Sequence, residues 1–328
     1  MELEYVSCLQ GEKQQCWRSL MQRAGLIPGE IPDITVLAWE GEILAAAGSR
    51  QGNIFKYIAV DPAFQGQDLT AKVLTALRQD AFARGVTPLF LYTKPQNVAM
   101  FTPLFFYPIA QTDDILLMED VRGGITRYMD SLPVPCRSGT IGAAVMNCNP
   151  FTLGHRHLIE TAARDCDWLY VFVLSEEQSP FPAADRLRLV QQGTADLPHV
   201  TVLPTGPYLL SSATFPDYFL KDRENCETAH CMLDIQVFIQ YYAPHFGITR
   251  RYVGTEPFSP LTDQYNRILK TMLPRQGIEV REIPRKENEN GPISASTVRS
   301  LLGTGQELLL RTLVPDTTMT YLKEKNFI

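Results

Sequence analysis

Strands and helices alternate in the sequence after about residue 138, and this rhythm constrains the possible folds more than any other feature. The run WLYVFVL (Trp168–Leu174) has no polar alternation, which is typical of a strand buried on both faces. An apolar run at Ile141–Asn147 precedes a helical pattern of apolar residues at His155–Cys166. Such alternation forms a parallel sheet with helices on both faces. We therefore predict a doubly wound, Rossmann-like α/β domain over residues 138–328.

The first 130 residues show a different pattern, and Gly-Gly and Pro-Val-Pro separate the two parts within residues 120–138. Two strand-like runs flank the turn at Glu40–Glu42, and further runs lie at 55–62, 88–94 and 113–120. A helical pattern at Leu69–Gly85 ends on a glycine, which favours termination of a helix. These features predict an α+β domain over residues 1–130.

The composition is that of an ordinary globular protein, and it argues against several classes. The 328 residues carry a net charge of −6, whereas a general nucleic-acid binder would be basic. Apolar runs stay below the ~20 residues of a membrane span, and we expect no signal peptide. The 7 cysteines show no CxxC spacing, so neither a metal site nor a disulfide framework is predicted. We expect a cytoplasmic protein that binds neither nucleic acid nor membrane.

A polar motif lies where the first strand of the predicted parallel sheet ends. The segment MNCNPFTLGHRHLIE, Met146–Glu160, places Asn-Pro and then Thr-x-Gly-His before a helix. A helix N-terminus attracts phosphate, and Gly154 leaves room for a phosphate to approach the backbone. Thr152 and His155 add a hydroxyl and an imidazole, which we expect to stabilise charge that develops on phosphorus. The alternative is an ordinary helix cap with a surface histidine.

A second motif with similar chemistry lies near the C-terminus. In GPISASTVRSLL, Gly291–Leu302, three hydroxyl side chains surround the start of a helix and Arg299 projects from its first turn. Hydroxyls, a helix N-terminus and a guanidinium together suit a phosphate. The alternative is a capping serine with a solvated arginine. Either motif alone is ambiguous, but the two in this order within one α/β domain predict a nucleotide site.

The two motifs resemble the signatures of the nucleotidylyltransferase superfamily, [HT]xGH and ISSTxxR, with Ala295 at a position that is usually serine. Five longer segments extend the likeness over essentially the whole chain. Together they resemble the citrate lyase ligase family, and they read NPFTLGH, FPAADR, SSATFPDYFLKD, YVGTEPF and PISASTVR.

The N-terminal part is similar to a GNAT acetyltransferase domain, which the citrate lyase ligase family carries before its nucleotidyl domain. Gln65–Thr70 occupies the place of the GNAT pyrophosphate loop, but Asp68 and Thr70 stand at its two glycine positions. A carboxylate there opposes a diphosphate, which needs bare backbone N–H groups. We therefore expect a scaffold or carrier-docking role rather than acetyl transfer.

The resemblance implies an ATP-dependent reaction in two steps. Acetate attacks the α-phosphorus of ATP and gives acetyl-AMP and pyrophosphate. The acetyl group then passes to the thiol of the phosphoribosyl-dephospho-CoA group on the citrate lyase acyl carrier subunit, which activates citrate lyase. Acetate is already an anion near neutral pH, so charge neutralisation rather than a general base is required. We expect Mg²⁺ to accompany ATP.

The resemblance and the local chemistry together assign roles to residues. We expect catalysis by Thr152, His155 and Arg299. We expect nucleotide binding by a larger set of residues in the same domain: Asn147, Asn149, Gly154, Arg186, Gly254, Thr255, Glu256, Ser294, Ser296 and Thr297.

Two other functions stay open at this point. One is a nucleotidylyltransferase that moves a nucleotidyl group onto a small phosphate ester, and the other is a nucleotide-sensing regulator. The apolar residues of SSATFPDYF suit a small acetate pocket better than a phosphate ester. For the carrier we predict docking on a basic patch, which comprises Arg250, Arg251, Arg275, Arg281, Arg285 and Lys286.

Overall fold

The computed structural model describes residues 1–27, 29, 32–134, 138–176, 179–209, 223–256, 259–289 and 291–328. Within these ranges the chain forms two compact units. The first contains Met1–Arg127 and residues 223–236, and the second contains residues 128–209 and Val237–Ile328. The division after Arg127 falls inside the predicted break at 120–138. Residues 223–236, which the sequence placed in the C-terminal domain, group with the N-terminal unit.

The strands, in chain order, are β1 Glu2–Val6, β2 Ile34–Glu40, β3 Ile43–Gln51, β4 Ile54–Val60, β5 Phe90–Thr93, β6 Tyr107–Gln111, β7 Leu116–Glu119, β8 Ile141–Met146, β9 Trp168–Val173, β10 Val200–Pro204, β11 Arg250–Gly254, β12 Glu279–Ile283, β13 Glu287–Asn288 and β14 Gly291–Pro292. The α-helices are α1 Gly11–Arg23, α2 Leu69–Ala83, α3 Val98–Phe101, α4 Gly124–Ser131, α5 Leu153–Arg164, α6 Ala183–Gly193, α7 Arg223–Val237, α8 Ala243–Phe246, α9 Pro260–Met272, α10 Ala295–Leu301, α11 Glu307–Arg311 and α12 Asp316–Glu324.

The first unit is built on a sheet with the strand order β1-β2-β3-β4-β5-β7-β6. Its neighbouring strands pair antiparallel, except that β4 pairs with β5 in parallel. Helix α2 buries one stripe against this sheet, because apolar residues recur three or four positions apart at Val73, Leu77 and Ala81. This arrangement confirms the predicted α+β class.

The parallel sheet of the second unit has the strand order β10-β9-β8-β11-β12. Every strand pair in it is parallel. Strand β9 is buried at all six positions, as its unbroken apolar run predicted. The strand order reverses between β8 and β11, so a crevice is expected at the carboxyl ends of these two strands. The doubly wound α/β class is confirmed.

Among the described residues, the helices are all too short or too polar to cross a membrane.

Candidate active site

The first predicted motif lies at the point where the strand order reverses. Strand β8 ends at Met146 and helix α5 begins at Leu153. Thr152 is the N-cap of α5, and its hydroxyl accepts the backbone N–H of His155 at 3.3 Å. The N–H of Leu153 is bound to the carbonyl of Leu313 at 2.9 Å. Gly154 thus carries the first-turn N–H that has no partner among the described residues.

The same cap fixes the orientation of the His155 ring. The backbone N–H of Thr152 donates to Nδ1 of His155 at 3.1 Å, and the Thr152 hydroxyl lies 2.9 Å from the same nitrogen. Because Nδ1 accepts a hydrogen bond, the proton of the neutral imidazole is on Nε2. The ring also stacks against Phe151, with centroids 6.1 Å apart. His155 is therefore held as a donor through Nε2 rather than as a freely rotating surface side chain.

Burial, together with the nearby positive charge of Arg285, lowers the pKa of His155 to about 4. Both causes disfavour the imidazolium form. The imidazole is therefore neutral at physiological pH, so it can offer a ligand a hydrogen bond from Nε2 but not a positive charge.

The second motif packs directly on the first. A Cβ atom built on Gly154 would lie 2.9 Å from the carbonyl oxygen of Ile293 and 3.5 Å from the Thr152 hydroxyl. Glycine is therefore required here for the two segments to approach each other. This packing requirement is independent of the phosphate binding expected from the sequence. Across the same contact, Nη1 of Arg299 donates to the carbonyl of Asn149 at 2.5 Å. The structure thus brings together Thr152, Gly154, His155 and Arg299.

The hydroxyl groups of the second motif form one cluster. The Ser294 hydroxyl lies 2.8 Å from the hydroxyls of both Ser296 and Thr297, and it accepts the N–H of Thr297 at 3.1 Å. Ser294 is therefore the N-cap of α10, as one alternative for this motif had it. The side chains of Ser296 and Thr297 are exposed and stay available to a ligand.

The structure places Arg186 away from any open phosphate position. Its side chain is fully buried, and it donates to the carbonyl oxygens of Phe181, Asn147 and Glu176. The same guanidinium donates to the side-chain oxygen of Asn147. Arg186 and Asn147 thus join the ends of β8 and β9. Nucleotide binding was expected of both residues. For Arg186 the contacts support a structural role instead, because all three nitrogens of its guanidinium donate to protein oxygens.

A further charged pair closes the site on the side of β11 and β12. Thr255 and Glu256 follow β11, and the Glu256 carboxylate is paired with Arg285. A Cβ on Gly254 would make a tight contact of 3.3 Å, but with a side-chain methyl group of Leu158 rather than with backbone. The sequence analysis assigned Arg285 to the docking patch. In the structure Arg285 contacts Thr255 and Glu256, which lie 30 and 29 positions earlier in the chain, and the sequence pattern did not predict these contacts.

Some predicted features lie outside the described residues. They are the segment 211–222, which includes SSATFPDYF and therefore the predicted acetate pocket, and the last two residues of YVGTEPF.

The described residues contain no group of three or more His, Cys, Asp or Glu side chains that would suit a metal ion. Near Arg299, however, the buried Oδ1 atom of Asn149 has no hydrogen-bond partner in the described chain. Mg²⁺ commonly binds through one or two protein oxygens and the phosphates of its substrate. The residues present therefore fit a magnesium ion that arrives with a nucleotide.

The first unit contains a separate cavity of about 810 Å³. Its walls include the end of β4, the end of β5 and the loop Gln65–Thr70, which the sequence analysis compared with a pyrophosphate loop. Asp68 in that loop has left-handed backbone geometry, with φ of 55°, and makes no side-chain cap to α2. Asp68 is exposed in this loop.

The fold and the site define a nucleotidyltransferase-like α/β protein with a GNAT-like domain before it. Family models agree: that of the citrate lyase ligase C-terminal domain matches residues 141–322, and that of the GNAT acetyltransferase family matches residues 4–102. Two curated relatives are named [Citrate [pro-3S]-lyase] ligase. The Klebsiella pneumoniae protein is 44% identical over 89% of this chain and 87% of its own length. The Escherichia coli protein is 40% identical over 89% of this chain and 85% of its own. The chain belongs to the citrate lyase ligase family.

Proposed function

We propose that this protein activates citrate lyase by acetylating its acyl carrier subunit at the expense of ATP, through acetyl-AMP. The observation that carries the proposal is the neutral His155, fixed with Nε2 as donor at the switch point of a parallel sheet, where Arg299 holds the carbonyl of Asn149 in the same loop. Family membership favours this function over transfer of a nucleotidyl group to a phosphate ester and over nucleotide sensing.

In the first step, a carboxylate oxygen of acetate forms a bond to the α-phosphorus of ATP. The bond between the α-phosphorus and the bridging oxygen breaks, and pyrophosphate leaves with that electron pair. Negative charge grows on the non-bridging oxygens and on the leaving group. His155 donates from Nε2 to one of these oxygens, and the Arg299 guanidinium binds the leaving pyrophosphate. No proton has to be removed from acetate.

In the second step, the carrier thiolate attacks the carbonyl carbon of acetyl-AMP, and AMP leaves with the electron pair of the broken C–O bond. The thiol proton is released to solvent. The acceptor thiol belongs to the prosthetic group of the carrier and not to Cys148, because Cys148 is fully buried and burial raises the pKa of its thiol. The proposal places the enzyme in the cytoplasm, where ATP and reduced thiols occur.

Asn149, through the Oδ1 atom that has no partner within the described ranges, would be the protein residue that holds a Mg²⁺ ion bound to ATP. When bound, it supplies positive charge that offsets the charge of the polyphosphate. Ser296 and Thr297, whose side chains are exposed, would contribute hydroxyl groups that orient phosphate oxygens, while the buried Thr152 hydroxyl holds His155.

Acetate-dependent exchange of labelled pyrophosphate into ATP, measured without carrier, tests this function. The wild-type protein should catalyse the exchange, and His155→Ala should lower its rate by about a hundredfold or more, the usual cost of losing one transition-state donor. ATP binding should weaken far less. Exchange that proceeds equally well without acetate, or with a phosphate ester in its place, would refute the proposal.

A further inference from the structure

We propose that Arg285 is a phosphate-binding residue of the nucleotide site, and that Glu256 is the positioning residue that holds its guanidinium. The inference rests on the proposed adenylation and adds to it a second guanidinium beside Arg299. It also assigns Glu256 to orientation of a cation, rather than to direct contact with the nucleotide.

The two residues leave the sheet side by side. Arg285 lies two positions after the end of β12, and Glu256 lies two positions after the end of β11. Strands β11 and β12 are paired in parallel with Gly254 opposite Ile283, so both loops start at the same level of the carboxyl edge. Strand β11 is also the neighbour of β8, whose carboxyl end leads to His155. Arg285 therefore belongs to the same edge as the catalytic motif.

Several hydrogen bonds fix the Arg285 side chain. Its backbone N–H donates to the Thr255 hydroxyl at 3.2 Å, and its Nε donates to the Thr255 carbonyl at 2.7 Å. A terminal guanidinium nitrogen donates to Oε2 of Glu256. Oε1 of Glu256 in turn accepts the N–H of Ser259 at 3.1 Å. The guanidinium is thus oriented before any ligand arrives, which reduces the entropy cost of binding.

The charge balance of this pair suits a polyanion. The Glu256 side chain is 9% exposed and the Arg285 side chain is 25% exposed, so the carboxylate lies deeper and the cation faces outwards. The charge of Arg285 reaches the His155 imidazole, where it lowers the pKa. A guanidinium matches two oxygens of a phosphate at once, which a lysine cannot do.

Arg285 differs in this respect from its neighbour Lys286. The Lys286 side chain is exposed, as expected for a residue that meets a partner protein or only solvent. Because the two side chains are adjacent and carry the same charge, Lys286 provides a matched control for any general loss of positive charge.

Calorimetric titration of the full-length protein with MgATP, in the absence of acetate and carrier, tests the proposal. Arg285→Gln should weaken ATP binding about tenfold or more, which corresponds to one charged hydrogen-bonding partner. Lys286→Gln should change the dissociation constant less than about twofold. The pKa of His155 in Arg285→Gln, followed by NMR, should rise because the nearby cation is gone. This rise would show that the Arg285 charge lies close to His155, and the loss of ATP affinity is the readout of phosphate binding.

Glu256→Gln separates positioning from direct binding. The amide keeps an oxygen that can accept a hydrogen bond but loses the ion pair that orients Arg285, so ATP should bind more weakly than in the wild type, by less than the loss in Arg285→Gln. Unchanged ATP binding in Arg285→Gln would overturn the inference. A loss in Glu256→Gln equal to that in Arg285→Gln would also overturn it, because the pair would then only hold the loop. A wild-type protein that binds ATP yet shows no acetate-dependent exchange would refute the adenylation alone.

Discussion

Gly154 and Ile293 bring the two sequence motifs of this protein into direct contact, since a Cβ atom on Gly154 would lie 2.9 Å from the Ile293 carbonyl oxygen. The residues are 139 positions apart in the chain, so the close approach is a property of the fold. It aligns the start of α5 with the segment that carries Arg299. The relative position of the two motifs therefore depends on a residue that has no side chain.

Gly154→Ala should disturb this contact. The methyl group would meet a backbone carbonyl, which cannot rotate away, so we expect a loss of stability of about 1–3 kcal/mol. Pyrophosphate exchange should fall as Arg299 shifts relative to His155. Thermal melting and exchange rates measure the two effects. Gly254→Ala is the comparison for stability, because its methyl group would meet only a flexible Leu158 side chain at 3.3 Å. Equal melting of both variants would contradict the packing argument.

The protonation of His155 gives a prediction about pH. Because its pKa is lowered to about 4, the folded protein keeps the ring neutral while the unfolded chain protonates it below about pH 6.5. The folded state should therefore lose stability from this group as the pH falls from about 6.5 towards 4, with no further loss below. The exchange rate of the wild type should not change around pH 6.5 through protonation of His155, so any change seen there should persist in His155→Ala. NMR titration of the histidine ring protons provides the direct measurement, and a His155 pKa near 6.5 would contradict it.

Arg299→Lys should lower the exchange rate at least about tenfold, although it keeps the charge. Arg299 already uses one nitrogen on the carbonyl of Asn149, and a single ammonium group cannot hold that carbonyl and a phosphate with the same geometry. Arg311→Lys is a suitable control, because Arg311 is exposed and pairs with Glu307 on α11. Full activity in Arg299→Lys would show that the fork geometry is not required.

Arg186→Lys tests the structural role that the contacts give to this residue. A lysine cannot donate to the Phe181, Asn147 and Glu176 carbonyls together, so buried acceptors would be left without partners. We expect a clearly lower melting temperature, with ATP binding reduced only in proportion to the folded fraction. Normal melting with a selective loss of ATP affinity would return Arg186 to the nucleotide site.

The sequence predicted the parts of this structure that depend on local pattern. The apolar run at Trp168–Leu174 identified a central strand, because burial on both faces leaves a run without polar residues. Strand β1 was missed, since it lies at the sheet edge and leaves Leu3 and Tyr5 exposed among acidic residues. Helix α1 was missed although Trp17, Leu20 and Met21 have helical spacing, because its other positions are polar.

The motifs of the site were accessible to sequence analysis, but their partners were not. Thr152 and His155 lie three positions apart, and a cap between them is a local event. Arg285 meets Thr255 and Glu256 only because β12 pairs with β11. Its charge alone suggested a surface patch, and the geometry that distinguishes it from Lys286 exists only in the folded chain.

The GNAT-like unit gives the last prediction. Its cavity of about 810 Å³ is within the range of cofactor sites, but the Asp68 carboxylate stands in the loop where the family resemblance places a diphosphate. We expect the full-length protein, with excess ATP present to fill the other unit, not to bind acetyl-CoA in the micromolar range. The negative charge of Asp68 repels the diphosphate of acetyl-CoA. The backbone of Asp68 has the left-handed geometry that a glycine adopts most readily, so a glycine would fit at this position.

The combined change Asp68→Gly and Thr70→Gly should therefore bind acetyl-CoA more tightly than the wild type by about tenfold or more. Asp68→Asn is the matched control, because asparagine tolerates the same backbone geometry and removes only the charge. Asp68→Asn should recover only the affinity for acetyl-CoA that charge repulsion removes. The rest of the gain should appear only in the double glycine variant, because it requires backbone N–H groups that no side chain covers. Calorimetry with acetyl-CoA measures all three proteins. Micromolar binding by the wild type would mean that the loop accommodates a diphosphate despite Asp68, and the GNAT-like unit would then have to be considered as a cofactor site in its own right.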